Sequence, residues 1–148
     1  LAEVGVNVEL RTQAQSTVIE AGGAGEAPLI WSGGMAWIAD YPDPNNFYWP
    51  ILACASNIPG GWNWSKYCNE DAEAKAAHAD TLAGADQHDE RVALWREIFT
   101  QVQADAPWIP IFHELQVSMH SAGVTGPDGI FTDPMHIPVH YEYMQRAE

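Results

Sequence analysis

The chain has few basic residues: 6 Lys and Arg stand against 20 Asp and Glu among 148 residues, which gives a formal net charge of −14. Binding to nucleic acid requires clustered cations that neutralise phosphates, so this balance argues against a nucleic-acid partner. An acidic surface favours solubility and attracts cationic ligands weakly. Net charge by itself therefore says little about specificity.

Long apolar runs are also missing. The longest fall far short of the roughly 20 residues that a helix needs to span a bilayer, so we expect no transmembrane segment. Hydrophobic residues still make up 47% of the chain, which is too many for a disordered protein. Residues 1–6 are strand-like and contain neither an initiator Met nor a cleavable apolar leader, so we expect the sequence to be part of a longer chain.

Catalytic and metal-binding signatures are absent as well. The glycine-rich residues 22–25 lack a following Lys-Ser or Lys-Thr, so they indicate a turn rather than a phosphate-binding loop. His136 and His140 are four residues apart, but Pro138 between them opposes a helix, and in an extended chain they would lie about 13 Å apart. We predict a protein that is not an enzyme and has no metal and no cofactor.

Hydrophobic periodicity predicts a mixture of helices and strands, and hence an α/β or α+β fold. The predicted helices cover residues 13–21, 46–53, 70–83 and 86–104, and the predicted strands cover residues 4–10, 29–38, 108–112 and 115–119. The clearest helix is the one at 86–104, where Asp86 is expected as the N-cap and Pro107 follows the end. Its apolar stripe consists of Val92, Trp95, Ile98, Phe99 and Val102.

The most informative stretch is residues 36–47, with the sequence Ala-Trp-Ile-Ala-Asp-Tyr-Pro-Asp-Pro-Asn-Asn-Phe. Asp40 follows an apolar, strand-like approach, and Pro42 and Pro44 then restrict the backbone. This arrangement places a carboxylate at a fixed position in a loop. Asp43, between the two prolines, is expected to be the residue that caps the turn.

A fixed anion beside Trp37 and Tyr41 suits an ammonium group, so we predict that Asp40, Trp37 and Tyr41 contact a ligand. The alternative is that Asp40 is a loop-capping residue that accepts hydrogen bonds from backbone N–H groups. Trp49, Trp62 and Trp64 are expected near the same loop, whereas Trp95 and Trp108 are assigned to the core.

Residues 36–47 resemble the W-x-x-D-Y-x-D-P-x-N-F signature of the family 5 extracytoplasmic solute-binding proteins, the receptors of bacterial dipeptide and oligopeptide importers. Two further stretches follow in the order and spacing of that family: residues 63–69 (Asn-Trp-Ser-Lys-Tyr-Cys-Asn) and residues 105–113 (Asp-Ala-Pro-Trp-Ile-Pro-Ile-Phe-His). The likeness covers roughly the last three quarters of the chain, while residues 12–34 match poorly.

The resemblance implies the C-terminal part of a two-lobe fold of the periplasmic binding protein-like II type, with a mixed sheet and flanking helices. Residues 1–114 would form part of the second lobe, and residues 115–148 would return toward the hinge and the first lobe. The missing N-terminal portion of the same chain is then an expected partner.

The implied function is that of a substrate-binding subunit of an ABC importer, which binds a peptide or similar small solute in a cleft and delivers it to the membrane permease. Asp40 resembles the family aspartate that pairs with the α-amino group of a bound peptide. The implied location is periplasmic or extracellular, attached to the cell envelope. Two alternatives stay open: a receptor of the same family for a nickel chelate, oligosaccharide or opine, or a self-standing interaction module.

The two cysteines, Cys54 and Cys68, form a pair with no spare thiol. In a secreted protein such a pair predicts a disulfide, and closing a loop of about 15 residues would contribute about 3 kcal/mol to stability. The alternative is two reduced thiols buried as small hydrophobic side chains.

Overall fold

The computed structural model describes residues 1–26, 37–111, 119–126 and 141–146. These residues form helices α1 (Gln15–Ala24), α2 (Asn45–Ile51), α3 (Glu70–Thr81) and α4 (His88–Asp105), with short 3-10 turns at Ala2–Val4, Cys54–Ser56, Ala85–Gln87 and Tyr141–Tyr143. Strands β1 (Val124–Thr125) and β2 (Gln145–Arg146) pair antiparallel, with Val124 opposite Arg146. The helices fall close to their predicted positions, whereas neither short strand was predicted.

The centre of the fold is the pair α3 and α4. Helix α3 turns a face of alanines toward α4, which supplies larger apolar side chains, so the two surfaces approach closely. The buried residues of this contact are Ala72, Ala76 and Ala79 on α3 and Trp95, Ile98 and Val102 on α4. The predicted apolar stripe of α4 is therefore confirmed, since Val92 and Phe99 are half-buried on the same helix.

The ends of α3 and α4 are set by side chains. Asn69 caps α3, because its Oδ1 accepts a hydrogen bond from the Ala72 N–H at 3.0 Å. The prediction that Asp86 caps α4 is wrong: residues 85–87 form a 3-10 turn in which Gln87 Oε1 accepts from the Gly84 N–H at 3.0 Å. The longer glutamine side chain reaches back three residues and closes this turn itself. Helix α4 ends at Asp105, just before Pro107, as predicted.

Helix α2 packs against the same core. Tyr48 is fully buried and its ring lies 5.9 Å from that of Trp95, centroid to centroid. Burial, together with the nearby negative charge of Glu73, raises the pKa of the Tyr48 hydroxyl above its ordinary value. Trp95 is buried and Trp108 is half-buried against the core, so both predicted core tryptophans lie there.

The prediction that the glycines at residues 22–25 form a turn is wrong for Gly22 and Gly23, which lie inside helix α1. It continues through Gly22 and Gly23 and ends at Ala24, where Gly25 adopts φ +74. A Cβ added at Gly22 would lie 2.6 Å from the Trp64 ring, and one at Gly23 would lie 3.1 Å from Gly60 Cα. The two glycines therefore allow the helix to pack directly on the loop that follows α2.

Two predicted strands are wrong where the structure describes them. Residues 4–10 begin in a 3-10 turn and form no ladder, and Val8 and Leu10 are 53% and 83% exposed. Residues 108–111 are likewise not a strand, and Ile109 and Ile111 are exposed. A strand needs the hydrogen bonds of a neighbouring strand, and the described residues offer neither segment such a neighbour.

The remaining strand predictions fall largely outside the described residues, since 29–36, 112 and 115–118 lie beyond them. Trp37, Ile38 and Met119 are described and are not in strands. The division at residue 114 stays a prediction.

Across the four described ranges, no helix has the length and apolar character to cross a bilayer. The described elements, four α-helices and one two-stranded sheet, fit part of an α/β fold, as predicted.

Candidate functional site

The loop before α2, residues 37–44, is organised by one buried amide, that of Asn46 in the first turn of α2. Asn46 is only 7% exposed, and its Oδ1 accepts hydrogen bonds from the Asp40 N–H at 2.8 Å and from Trp37 Nε1 at 3.4 Å. Its Nδ2 donates to Asp40 Oδ2 at 3.1 Å. Asn46 thus holds Trp37 and Asp40, two of the predicted ligand-contact residues, in one arrangement while the Asp40 carboxylate stays exposed to solvent.

The second carboxylate of the loop has a different environment. Asp43 Oδ1 accepts from the Asn45 N–H at 2.9 Å, which makes Asp43 the turn-capping residue, as predicted. Both oxygens of Asp43 also accept from Arg91 Nη2, at 2.7 and 2.6 Å. Asp43 is therefore committed to the structure. Within the described residues, the hydrogen bond to the Asp40 carboxylate comes from Asn46 rather than from a backbone N–H.

Arg91 ties this loop to the helices. Besides Asp43, it donates to the carbonyl oxygen of Ala79 and lies 3.4 Å from Asp80 Oδ1, both on α3, and its guanidinium stands 5.8 Å from the centroid of the Trp95 ring. Hydrogen bonds to Asp43 raise the pKa of Arg91 further above its ordinary value. Its side chain is mostly buried, so the charge is held by its partners.

Asp80 extends the same network toward α2. It accepts hydrogen bonds from Trp49 Nε1 at 2.6 Å and from Asn45 Nδ2 at 3.1 Å. Asn45 and Asp80, together with Arg91, also border an open surface groove of about 820 Å³ that runs along residues 82–85 and His88. Neither Asp40 nor Trp37 lines this groove.

The tryptophans of this region divide into two groups. Trp37 meets Trp62 edge to face at 6.0 Å between ring centroids, and Trp62 stacks on Trp64 at 5.9 Å; we call these three the tryptophan row. Trp49 packs instead against Tyr48 at 5.5 Å and donates to Asp80, so it belongs to the network of Arg91. The row is linked to Asp40 through Asn46, which accepts a hydrogen bond from Trp37 and donates one to the Asp40 carboxylate.

Tyr41, the third predicted ligand-contact residue, follows Asp40 directly and is 47% exposed. Its carbonyl oxygen accepts from the Asp43 N–H at 2.9 Å, which fixes its backbone. The structure brings Trp37 and Asp40 together and leaves Tyr41 at the surface beside them. The contact of these three residues with a ligand remains a prediction.

The loop after α2 is closed covalently, as predicted. Cys54 and Cys68 form a disulfide with their Cα atoms 4.4 Å apart, and the Cys54 N–H donates to Glu73 Oε2 on α3 at 3.0 Å. Inside the loop, the buried Asn63 donates to the carbonyl oxygens of Ala53 and Tyr67 at 3.0 and 2.7 Å. This loop carries Trp62 and Trp64, so the disulfide and Asn63 support the tryptophan row.

The end of the loop is fastened to the end of α4. Tyr67 donates its hydroxyl to Asp105 Oδ2 at 2.6 Å, and Asn69 and Gln101 donate to the same carboxylate at 3.1 and 2.7 Å. The hydrogen bond from Tyr67, followed by those from Asn69 and Gln101, lowers the pKa of Asp105. Burial and the hydrogen bond to Asp105 raise the pKa of Tyr67 from 10.0 to about 12.

Metal binding finds no support in the part of the chain that the structure describes, where no three His, Cys, Asp or Glu side chains converge. His113, His136 and His140 lie outside the described residues.

The roles of Asn46 and Arg91 were not predicted from the sequence. Nothing in a sequence marks one asparagine as buried, and Arg91 is 48 residues from Asp43.

The chain is similar to known proteins over part of their length. No profile of a known protein family matches it. It is 31% identical to Di/tripeptide-binding protein 4 of Pseudomonas aeruginosa over 75% of this chain and 20% of that protein. It is 32% identical to Heme-binding protein A of Haemophilus influenzae over 66% of this chain and 17% of that protein. The chain thus spans about a fifth of the length of the curated relatives it matches.

A solved structure shares the fold. It is described as the ABC transporter-associated periplasmic binding protein DppA from Helicobacter pylori in complex with the peptide STSA, and the match covers 74% of this chain and 20% of that one. The TM-score is 0.63 and the sequence identity 22%. The described helices are therefore arranged as in part of a periplasmic binding protein.

Proposed function

Since the chain belongs by homology to the family 5 solute-binding proteins, the receptors of bacterial dipeptide and oligopeptide importers, we propose that it forms part of the substrate-binding subunit of an ABC importer. In this proposal it contributes the residues that receive the amino terminus of a peptide. It performs no catalysis and uses no cofactor. The relatives to which it is similar are named as binding proteins, which supports this assignment.

The observation that carries the proposal is the environment of Asp40. Its carboxylate is exposed, yet its backbone and one carboxylate oxygen are held by the buried Asn46. A carboxylate that is already oriented loses little freedom when it meets an ammonium group, so more of the interaction energy appears as affinity. Asp43, by contrast, is already occupied by Arg91 and is not available to a ligand.

Trp37 and Tyr41 complete the proposed contact. The indole of Trp37 is half-buried beside Asp40 and can pack against the first residue of a peptide, and the exposed ring of Tyr41 can cover the same end. A peptide with a free amino terminus is the ligand that this combination of anion and aromatic rings suits best.

In the whole receptor, two lobes would close around the ligand and the closed form would deliver it to the permease subunits in the membrane. This places the protein in the periplasm or at the outer face of the cell envelope, with the permease and the remainder of the receptor as partners. A disulfide between Cys54 and Cys68 is compatible with such an oxidising compartment.

A non-peptide ligand is the second candidate. The likeness to a protein named for haem binding supports it, as does the tryptophan row, which could pack against a planar or ring-shaped solute. The two candidates differ in the charge they need: a peptide requires the Asp40 carboxylate, whereas a solute without an ammonium group does not.

The test is the Asp40→Asn variant of the full-length receptor, measured by calorimetry with dialanine, the peptide Ser-Thr-Ser-Ala and their N-acetylated forms. We expect the variant to lose about 2–4 kcal/mol of affinity for the free peptides while its melting temperature changes little. Acetylated peptides should bind the parent poorly and bind both proteins alike.

Asp43→Asn is the matched control, since it makes the same chemical change three residues away. It should lower the melting temperature through Arg91 and leave the preference for free peptides in place. If Asp40→Asn binds free peptides as tightly as the parent, the proposed role of Asp40 is wrong. If the parent binds none of these peptides but does bind haem, the second candidate replaces the first.

A further inference from the structure

We propose that Asn46 is a positioning residue for ligand recognition, which acts by holding the Asp40 carboxylate and the Trp37 indole in a fixed arrangement; this inference rests on the proposed role of Asp40. Asn46 lies in the first turn of α2, and we do not propose that it contacts the ligand itself. It acts through its hydrogen bonds to the two residues that do.

The orientation of the amide supports this role. Its Oδ1 faces two N–H donors, the Asp40 backbone and Trp37 Nε1, and its Nδ2 faces the Asp40 carboxylate. Reversing the amide would set donor against donor and acceptor against acceptor at all three contacts. A single orientation therefore satisfies every partner, and it fixes where the carboxylate of Asp40 points.

Burial makes the arrangement rigid. A buried amide without hydrogen bonds costs roughly 1–3 kcal/mol, so Asn46, at 7% exposure, keeps these partners. The Asn46 side chain forms its hydrogen bonds with the loop and not with its own helix. The N–H of Asn45, at the start of α2, donates instead to the Asp43 carboxylate, and Phe47 and Tyr48 both donate to the Pro44 carbonyl oxygen at 3.1 Å.

The loop is also held from its other end. Asp43, bound to Arg91 and capping the Asn45 N–H, stabilises the backbone between Asp40 and α2. That contact does not orient Asp40, however, because it involves neither the backbone N–H nor the carboxylate of Asp40. Asn46 is the residue among those described that reaches both.

The experiment uses Asn46→Ala in the full-length receptor with dialanine and N-acetyl-dialanine as probes. We expect about a tenfold loss of affinity for the free peptide, the value of a lost hydrogen bond to a charged group, and no comparable loss for the acetylated one. In an Asp40→Asn background the same change should cause little further loss, because the group that Asn46 positions has lost its charge.

The matched control is Asn69→Ala, which removes the helix cap of α3, a side chain that bonds to Ala72 and Asp105 and not to the Asp40 loop. It should lower the melting temperature and leave the ratio of affinities for free and acetylated peptide unchanged. In the ligand-free receptor, hydrogen exchange at the Asp40 N–H should be faster in Asn46→Ala and unchanged in Asn69→Ala. If Asn46→Ala does not fold, Asn46→Ser, which keeps one hydroxyl but cannot bridge Asp40 and Trp37, should show the same selective loss.

Three results would overturn the inference. An Asn46→Ala receptor that keeps the full preference for free peptide would show that Asp40 needs no support. Equal losses for both probes would show a general structural effect. A parent receptor that does not prefer the free peptide would remove the proposed function itself, and this outcome is recognised from the parent alone.

Discussion

Residues 37–108 and two described segments outside them, residues 4–10 and 109–111, all carry apolar side chains but differ in how these side chains are held. In the first region, helices α2 to α4 bury Tyr48, Trp95 and Ile98, and a disulfide and a network around Arg91 fasten the loops. Residues 4–10 and 109–111 carry alternating valines, leucine and isoleucines that stay exposed. Apolar residues become a core only where a second surface covers them.

The difference follows from the range of the interactions. A helix satisfies its own backbone, so an amphipathic segment such as α4 can form and then pack. A strand leaves its N–H and C=O groups for another strand to satisfy. The alternation of residues 4–10 is therefore not enough to form a strand, because the described residues offer no partner edge.

The largest effect that this comparison predicts is for Ile98→Ala set against Val8→Ala in the 148-residue chain. Ile98 is fully buried between α3 and α4, so its truncation should cost about 2–5 kcal/mol of the free energy of unfolding. Val8→Ala should stay within about 0.5 kcal/mol. Urea unfolding followed by circular dichroism measures both. A loss above about 1 kcal/mol for Val8→Ala would show that residues 4–10 are packed and would break the comparison.

The disulfide should come next in magnitude. Replacing Cys54 and Cys68 together by Ser frees a loop of about 15 residues and should lower the free energy of unfolding by about 3 kcal/mol. The parent, alkylated without reductant, should gain no mass. Two labelled thiols in the protein as isolated would contradict the disulfide, and an unchanged unfolding midpoint for the double variant would show that Asn63 suffices to hold the loop.

Two arginines sharpen the same contrast. Arg91 donates to both oxygens of Asp43 from a mostly buried position, whereas Arg11 pairs with Glu9 where both side chains are exposed. Arg91→Ala should therefore cost about 2–3 kcal/mol, and Arg11→Ala about 0.5 kcal/mol or less. Thermal unfolding of the two variants side by side decides this. Equal effects would mean that the network around Arg91 does not fasten the loop.

The helices and the disulfide could be predicted from the sequence because their signals are local: the periodicity of α4, the alanines of α3 and a lone pair of cysteines. The loop of Asp40 was identified from its prolines and from its resemblance to a family. The role of Asn46 and the pairing of Arg91 with Asp43 could not be predicted, since both depend on burial and on contacts between distant parts of the chain. The prediction of a turn at Gly22 and Gly23 was wrong for the same reason, because these glycines pack closely against Trp64 and Gly60 in the folded chain.

Gly22→Ala tests that contact. Alanine is the better helix former by about 1 kcal/mol, so helix propensity alone predicts a gain in stability. The added Cβ would lie 2.6 to 3.0 Å from three ring atoms of Trp64, and we expect a net loss of about 1–2 kcal/mol instead. Glu20→Ala on the exposed side of α1 is the control and should be neutral. A stabilised Gly22→Ala variant would show that α1 does not pack on Trp64.

The smallest expected effect is the pH dependence of the contact between Tyr67 and Asp105. The folded state lowers the pKa of Asp105, so its stabilising contribution is present above the ordinary aspartate pKa of about 4 and is lost as the pH falls through the folded value. The folded state raises the pKa of Tyr67, so that contribution is complete below pH 10 and is lost between pH 10 and about 12.

Tyr67→Phe should weaken both trends, because it removes the donor to Asp105 and the group that titrates at high pH. Asp105 is exposed at the surface, so its effect should appear as a small change in melting temperature between pH 5 and pH 3. Asp105→Asn should remove the change at low pH while keeping part of the change at high pH, since burial is the larger cause of the raised pKa of Tyr67. Identical pH profiles for the parent and both variants would mean that the loop after α2 is held at Cys68 and not at Tyr67.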